Sequence, residues 1–305
     1  MTTLHVLMPP LSRIDDVPEF HHWLRRGDRL ADLRNARADV TRERFQFTAG
    51  EIPAAALRHH CHASDAANGT WLCADPAHVR SEATGARLLA CPVEDLSGAD
   101  ADELAMAVRP LFDQVASRLA TDTPSVWCLR LAEGVSGARF AEPAEALGAS
   151  LVDCLPDGGT GRAWRRLFNE VQILLHAHPV NARRVAAGRV PVNALWFWGE
   201  GPLPEPVETG LRFVASADDV LRGLAKLAGA VRLEPLPEAL ETAEARGETL
   251  LDLQRLGDRE SAAEWLAAFE RWLRERRFDA VALAFAGGAR YRMRHAHRLR
   301  FWRRG

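Results

Sequence analysis

Three short apolar segments in the last third of the sequence alternate with two amphipathic helical patterns, and this order is the strongest constraint on the fold. Residues 211–215, 249–253 and 280–285 each have the length and composition of a buried strand. The two patterns between them repeat their apolar residues at helical spacing. This order of strand, helix, strand, helix, strand predicts an α/β fold, in which helices cover a sheet whose strands are parallel in part.

The remaining segments give further predictions of local structure. The apolar run at residues 4–8 predicts the first buried strand, and the stripe at residues 162–178 predicts a long helix. Apolar residues also recur at helical spacing over residues 100–119, which predicts a helix there, whereas residues 48–70 show no regular pattern. At residues 290–301 apolar and basic side chains alternate, which predicts an antiparallel strand with one basic face in solvent.

Composition narrows the class of protein. A chain of 305 residues is longer than a single core usually serves, so we expect two lobes. A net charge of −2 predicts no general affinity for nucleic acids or anionic membranes. We find no secretion signal and no segment long enough to span a membrane. The five cysteines lack a framework spacing and are typical of reduced thiols, so we expect a cytoplasmic protein.

Two segments carry a resemblance to a known family. Residues 172–201 contain the pattern HPVNxxR…GxxPxN…WxWGxG, and residues 75–78 have the sequence DPAH. Together they resemble archaeal-type cofactor-independent phosphoglycerate mutases of the alkaline phosphatase superfamily. In those enzymes, the segment that matches residues 75–78 begins an inserted substrate domain, and the segment that matches residues 172–201 leaves it. The chain is also similar, over nearly its whole length, to a smaller bacterial family of phosphoglycerate mutase-like or RpfE-type regulatory proteins.

The resemblance implies a particular architecture. Residues 1–60 and 191–305 would form a truncated alkaline-phosphatase-like core sheet flanked by helices. Residues 61–190 would form a smaller inserted α+β lobe of the substrate-binding type. In this superfamily two metal ions, commonly manganese or zinc, activate a Ser or Thr nucleophile and stabilise the phosphoryl group in flight. Their ligands are Asp and His residues that follow strand ends.

Those ligand blocks are missing from the matched positions. The first strand is followed by Pro9 and Pro10, with no acid before Asp15, and residues 281–285 are followed by Ala-Gly-Gly-Ala-Arg. No Asp-His pair follows up to residue 305. We therefore predict no two-metal centre, no cofactor and no catalytic residue, as in a pseudoenzyme.

The matched segments supply candidates for binding a phosphorylated or acidic metabolite between the lobes. Arg183 and Arg184 could hold a phosphate or carboxylate through paired hydrogen bonds, or could be exposed helix charges. His178 could contact a ligand or cap the end of the long helix. Backbone-holding turn residues are the simpler interpretation of the asparagines and of the Asp-Pro step. The full set is Asp75, His78, His178, Asn181, Arg183, Arg184 and Asn193.

A second candidate site is the arginine-rich end of the sequence. One interpretation is a strip that binds an acidic partner or nucleic acid, and the other is an edge strand that uses charge against aggregation. The strip consists of Arg292, Arg294, Arg298 and Arg300.

The third cluster has the donor types of a zinc site. His59, His60, Cys61 and His62 are consecutive along the chain, and Cys73 follows. Because this spacing matches no standard zinc motif, we predict no metal site there.

Three functions follow from these observations. The first is a non-catalytic, mutase-like regulatory or interaction module, whose partner is a phosphorylated small molecule or a protein. The second is an active 2,3-bisphosphoglycerate-independent phosphoglycerate mutase, or a metal-dependent phosphohydrolase, with rearranged ligands. The third is a nucleic-acid-associated protein that uses the arginine strand. Nucleic acid is the least favoured partner, and no membrane association is expected.

Overall fold

The computed structural model describes residues 2–82, 85–137, 139–243 and 247–300. The strands are β1 (Thr3–Met8), β2 (Asp28–Leu30), β3 (Phe45–Phe47), β4 (Thr70–Glu82), β5 (Gly85–Ala90), β6 (Ala116–Thr123), β7 (Val126–Leu131), β8 (Ala194–Pro202), β9 (Val207–Thr209), β10 (Phe213–Ala215), β11 (Val231–Leu233), β12 (Thr249–Asp252), β13 (Ala280–Phe285) and β14 (Arg290–Arg294). The helices are α1 (Pro18–Arg26), α2 (Ala36–Arg44), α3 (Ala54–His62), α4 (Gly98–Val108), α5 (Pro143–Ala146), α6 (Leu151–Cys154), α7 (Gly158–His176), α8 (Pro179–Ala186), α9 (Asp219–Leu227), α10 (Pro237–Thr242) and α11 (Arg259–Arg274). Short 3-10 turns occur at Leu11–Ile14, Arg109–Phe112 and His295–Leu299.

The chain divides into two compact units. The first comprises residues 1–48 and 205–305, and the second comprises residues 49–204. The sequence places these divisions at 60/61 and 190/191 instead. That the second unit is an inserted lobe for substrate stays a prediction.

A seven-stranded sheet organises the first unit. Its order is β11-β10-β12-β1-β13-β14-β2. The first five strands run parallel, and β14 and β2 complete the sheet in antiparallel pairing. Helices α1 and α11 pack on one face of this sheet, and α2 contacts the other face at β1 and β13. The predicted α/β class, with strands parallel in part, is confirmed.

The core of this unit lies between the sheet and helix α11. Apolar side chains recur along α11 at helical spacing, so one stripe of the helix is buried. Trp265, Phe269 and Trp272 belong to this stripe, and Trp23 of α1 stacks on Phe269 with ring centroids 6.0 Å apart. Asp258 begins the helix by accepting a hydrogen bond from the Ser261 N–H at 2.8 Å.

An antiparallel sheet organises the second unit. Strand β4 pairs with β8 over residues 70–77, with β7 on its other side over residues 71–73, and with β5 over residues 78–82; β6 pairs with β7. Helix α7 packs on β8, where Trp164 and Phe168 meet Trp196 and Phe197 edge to face.

Four predictions of local structure are wrong in extent. Residues 48–70 contain the regular helix α3, and the helix predicted over 100–119 ends at Val108 because Pro110 interrupts it. Residues 71–73 and 87–91 have the composition of two paired short strands around residues 75–78, whereas residues 75–78 lie inside the single long strand β4. The last strand ends at Arg294, and the alternation continues into a 3-10 turn.

Two of the remaining predictions can also be compared with the structure. Among the described residues, no helix is both long and apolar enough to cross a lipid bilayer. None of the five cysteines forms a disulfide within this part of the chain.

Candidate functional site

The carboxyl ends of the parallel strands are where ligands bind in open α/β sheets. Five strands end side by side here: β11, β10, β12, β1 and β13. Strand β1 leads into Pro9 and Pro10, and β13 leads into Ala286 and two glycines, so neither supplies a polar side chain. Glu234 follows β11 at the end of the row and pairs with Arg222 at 3.1 Å. The remaining polar side chains are Ser216 directly after β10, Asp218 two residues later and Asp252 at the end of β12.

Asp252 is the central group of this edge. Its Oδ2 accepts a hydrogen bond from the Ser216 hydroxyl at 2.8 Å, and its Oδ1 accepts from the Gln254 backbone N–H at 3.2 Å and side-chain amide at 3.1 Å. Burial raises the pKa of Asp252 above its ordinary value, and the Asp218 carboxylate raises it further. The hydrogen bonds from Ser216 and Gln254 oppose this rise without cancelling it.

Asp218 has a structural role at the start of α9. Its Oδ1 accepts the N–H groups of Val220 at 2.9 Å and Leu221 at 3.1 Å, which caps the helix. Its Oδ2 accepts a hydrogen bond from the Arg37 guanidinium at 2.8 Å. Both oxygens therefore already have donors from the chain.

These residues do not fit a two-metal centre. Such a centre needs several carboxylate or imidazole ligands from neighbouring strand ends, whereas β1 and β13, two of the five strands that end here, supply none. Asp252 and Asp218 accept hydrogen bonds from within the unit through all four of their oxygens. Across the described ranges, no group of three or more His, Cys, Asp and Glu side chains could hold a metal ion.

Asp75 lies in the second unit and is completely buried in β4. Its Oδ2 accepts hydrogen bonds from the Arg58 guanidinium at 2.6 Å and from the Trp198 indole at 2.8 Å. Among the described residues, its Oδ1 has no hydrogen-bond partner. Burial disfavours the Arg58 cation, but Asp75, Cys73 and Cys128 together outweigh this effect, and the pKa of Arg58 is raised. Arg58 also lies over the Trp198 ring, 5.3 Å from its centroid.

His78 follows on the same strand and is half-buried. Burial lowers its pKa, Arg80 lowers it further and the Pro191 carbonyl opposes the change. Its Nδ1 is buried without a hydrogen-bond partner in the described part of the chain. Asn193 bonds the neighbouring residue instead, accepting the Val79 N–H at 2.8 Å and donating to the Val79 carbonyl at 2.7 Å.

The other candidates from the matched segment also have partners within the chain. His178 accepts the Val180 N–H through Nδ1 at 3.3 Å, so it caps the start of α8 rather than the end of α7. Asn181 is buried, where it donates to two carbonyls and accepts one backbone N–H. These bonds hold the turn between α7 and β8.

The two consecutive arginines differ in their surroundings. Arg183 is exposed and pairs with Asp100 at 3.1 Å and Glu103 at 2.9 Å. Arg184 is only 2% exposed, so the interpretation as an exposed helix charge is wrong for this residue. It donates to the Val190 carbonyl and pairs with Asp95. A ligand-binding role for any residue of the matched segments stays a prediction.

The arginine strip is not a single strand face. Strand β14 lies between β13 and β2, so the edge-strand interpretation is wrong. Arg294 and Arg300 both approach Asp28, at 3.9 Å and 2.7 Å, which neutralises part of their charge. Arg298 belongs to the 3-10 turn and is exposed. Arg292 lies within β14, opposite Ala282 of β13 and Asp28 of β2.

The histidine cluster lies on helix α3. His59 is completely buried, with its Nδ1 2.7 Å from an Asp122 oxygen and its Nε2 2.9 Å from Asp65. Its ring packs against Trp71 with centroids 3.9 Å apart. The spacing along the sequence gives no indication of these carboxylate partners, because Asp65 and Asp122 come from a loop and from β6.

No family model matches the chain. Curated relatives match part of it. The probable 2,3-bisphosphoglycerate-independent phosphoglycerate mutase of Geobacter sulfurreducens is 34% identical over 101 residues, which are 32% of this chain and 25% of that protein. The corresponding enzyme of Methanothrix thermoacetophila is 35% identical over 122 residues, 38% of this chain and 31% of that protein. The chain is phosphoglycerate mutase-like over this part. The alignments span less than a third of these relatives' own length.

Two solved structures match over more of the chain. They are a cofactor-independent phosphoglycerate mutase from Thermoplasma acidophilum, with a TM-score of 0.43, and the PH0037 protein from Pyrococcus horikoshii, with a TM-score of 0.46. Their sequence identities are 12% and 11%. The alignments cover 96% and 95% of this chain, and 90% and 86% of those chains. TM-scores at this level do not establish a shared fold.

Sequence reasoning missed the polar group at the carboxyl edge. Ser216 and Asp252 are 36 positions apart, and their pairing depends on β10 and β12 being neighbours in the sheet. A signal was available, because Ser216 directly follows the predicted strand 211–215 and Asp252 lies near the end of the predicted strand 249–253. Polar residues at the carboxyl ends of such strands are typical of ligand sites in α/β sheets.

Proposed function

We propose that this chain is a phosphoglycerate mutase-like protein that does not transfer phosphate through two metal ions. It acts instead as a regulatory or interaction module. The donor set at the carboxyl edge of the parallel strands is the observation that carries the proposal. Two of the five strand ends offer no ligand, and the carboxylates that follow β10 and β12 accept hydrogen bonds from within the unit. A nucleophile in such a site would have no metal to lower its pKa or to stabilise phosphoryl charge.

We propose that the chain has an alkaline-phosphatase-like core and is related to the RpfE-type regulatory proteins. Identity of 34–35% to named mutases over roughly 100 to 120 residues supports the mutase-like part of this description. The proposed relation to the regulatory family rests on the HPVN and WxWGxG segments. We further propose a cytoplasmic location, with a phosphorylated small molecule or a protein as the partner.

An active mutase is the second candidate. The names of the curated relatives favour it, since proteins described as phosphoglycerate mutases are 34–35% identical to this chain over the aligned 101 to 122 residues. Such an activity would need metal ligands other than those at the matched strand ends.

A turnover assay separates the two candidates. The full chain is incubated with 3-phosphoglycerate and Mn²⁺, Co²⁺ or Zn²⁺, and formation of 2-phosphoglycerate is measured beside the Geobacter sulfurreducens relative. We expect no turnover above the protein-free rate for this chain. Metal-dependent turnover that is lost on adding a chelator would establish the second candidate and exclude the first.

A further inference from the structure

A cavity of about 270 Å³ opens in the first unit at the amino-terminal edge of the parallel strands. Helix α1, the end of α11, strand β14 and the following 3-10 turn surround it. Arg294, which lines the cavity, pairs in register with Ala280 at the start of β13. The cavity is therefore at the opposite edge of the sheet from Ser216 and Asp252.

Its lining is strongly basic. Four arginines line it, while Glu270 is the one acidic residue among the lining residues that the structure describes. These arginines are Arg26, Arg274, Arg294 and Arg298. Trp23 and Met293 provide the apolar part of the wall and belong to the buried core. The arginines come from three separate segments of the chain and converge on one small space.

Guanidinium groups in this cavity remain available to a ligand. Within the residues that the structure describes, Arg274 and Arg298 form no ion pair, and both are exposed. Arg26 binds the His22 ring through Nη2 at 2.7 Å, but its buried Nε has no hydrogen-bond partner in the described ranges. A buried N–H without an acceptor costs free energy, so an anion that accepts it gains affinity.

A structural role explains only part of this arrangement. Arg26 and Arg274 lie in the last turns of α1 and α11, where a cation is favourable beside the helix C-terminus. Arg298 lies in the last turn of the 3-10 segment, whereas Arg294 precedes that segment and has no such reason to be there. Asp28 offsets part of the charge of Arg294 at 3.9 Å, and in the described ranges Arg298 forms no ion pair with it.

We propose that this cavity is a binding site for a small phosphorylated anion. Planar guanidinium donors match the paired oxygens of phosphate, and several of them converge here on a volume at the lower end of small-ligand pockets. An extended peptide or nucleic acid strand would need charges arranged along a line instead. The site rests on the proposed function in one respect, since it would hold the phosphorylated partner named there. It lies away from the strand ends discussed above, so the claim that the chain lacks two-metal chemistry stands or falls separately.

Titration calorimetry with pyrophosphate tests the site on the full chain at constant ionic strength. We expect binding at one site per chain. The Arg274→Gln/Arg298→Gln variant should weaken it by about tenfold or more, because two charge-assisted contacts are lost. Arg259→Gln is the matched control. It removes an exposed arginine from the same helix, about 22 Å from Arg274 at 1.5 Å per residue, and should leave the affinity unchanged.

A second variant distinguishes a specific loss of pyrophosphate binding from a loss that results from unfolding. Glu270→Gln removes the one acid of the described lining and should tighten pyrophosphate binding by about threefold. No binding to the wild-type chain, or an equal loss in Arg259→Gln, would overturn the site. Salt-dependent binding of a single-stranded oligonucleotide without binding of pyrophosphate would also overturn it, in favour of nucleic acid. Because the assay measures binding alone, its failure does not bear on turnover of 3-phosphoglycerate.

Discussion

At the scale of single residues, Asp252 is a carboxyl group in surroundings that favour its protonated form. Burial raises its pKa from the ordinary value of 3.8, and Asp218 adds like-charge repulsion. The folded chain therefore holds this proton more tightly than the unfolded chain does. The stability that results is fully present below the unfolded pKa and is lost as the pH rises through the folded pKa.

Replacing this carboxyl should stabilise the protein at neutral pH. Asp252→Asn keeps a side chain that can hydrogen-bond to Ser216 and Gln254, and removes the charge. We expect its free energy of unfolding in urea to exceed that of the wild type at pH 7, with the gap closing as the pH falls towards 4. Asp258→Asn is the contrasting control, because the Ser261 N–H lowers the pKa of Asp258. Its effect at pH 7 should be neutral or destabilising. A pH-independent gain for Asp252→Asn would contradict the argument.

The sequence identifies several individual residues but not their partners. Asp75 is noticeable beside Pro76, yet nothing local indicates that Arg58 and Trp198 bond its carboxylate within a buried sheet. Asn193 and Asn181 belong to a recognisable motif, and their bonds to Val79 and Val192 depend on strand pairing. Contacts between residues far apart in the chain depend on the strand topology, and the spacing of residues along the sequence does not reveal that topology.

At the scale of secondary structure elements, strand β8 and helix α3 approach each other closely at Gly199. This glycine has a φ of +66°, and a Cβ added to it would lie 2.6 Å from the Cβ of Ala54. The positive φ accompanies an irregularity in the pairing of β8 with β4, opposite Trp71 and Cys73. The backbone conformation of Gly199 and its close packing against Ala54 therefore explain why a glycine stands first in the WxWGxG segment.

Substitution at this position should destabilise the protein. Gly199→Ala imposes an unfavourable backbone conformation and a clash with α3, so we expect a loss of about 1–3 kcal/mol in the free energy of unfolding. Denaturant unfolding followed by circular dichroism measures it. Gly210→Ala is the control, since an added Cβ there meets nothing within 4 Å and the φ is not positive. Equal effects of the two substitutions would refute this account of Gly199.

The accuracy of the predicted elements follows a physical pattern. Strands β12 and β13 and helix α11 agree closely with their segments, because a continuous apolar run or stripe reflects burial in one core. The sequence does not predict helix α3, because Ala54–His59 are all buried and so show no apolar stripe at helical spacing, and the end of the helix is rich in histidine. Strand β6 was absorbed into a helix because Val115 and Leu119 continue the helical spacing past Pro110.

At the scale of the whole molecule, the resemblance to mutases and the loss of metal ligands involve different parts of the chain. The HPVN and WxWGxG segments lie in the second unit, in α7, α8 and β8. The strand ends that would hold metal lie in the first unit. A sequence can therefore keep the first feature and lose the second. Under the proposed function, the same separation explains why partial identity to named enzymes would not transfer their chemistry to this chain.

Metal content after loading is the most direct test of the central claim. The purified full chain is incubated with excess Mn²⁺ or Zn²⁺, dialysed, and measured by inductively coupled plasma mass spectrometry beside the Geobacter sulfurreducens relative. The account predicts far less than one retained equivalent per chain, unchanged by Asp252→Asn. Two tightly retained equivalents that fall when Asp252 is replaced would show a metal centre at the carboxyl edge and contradict it.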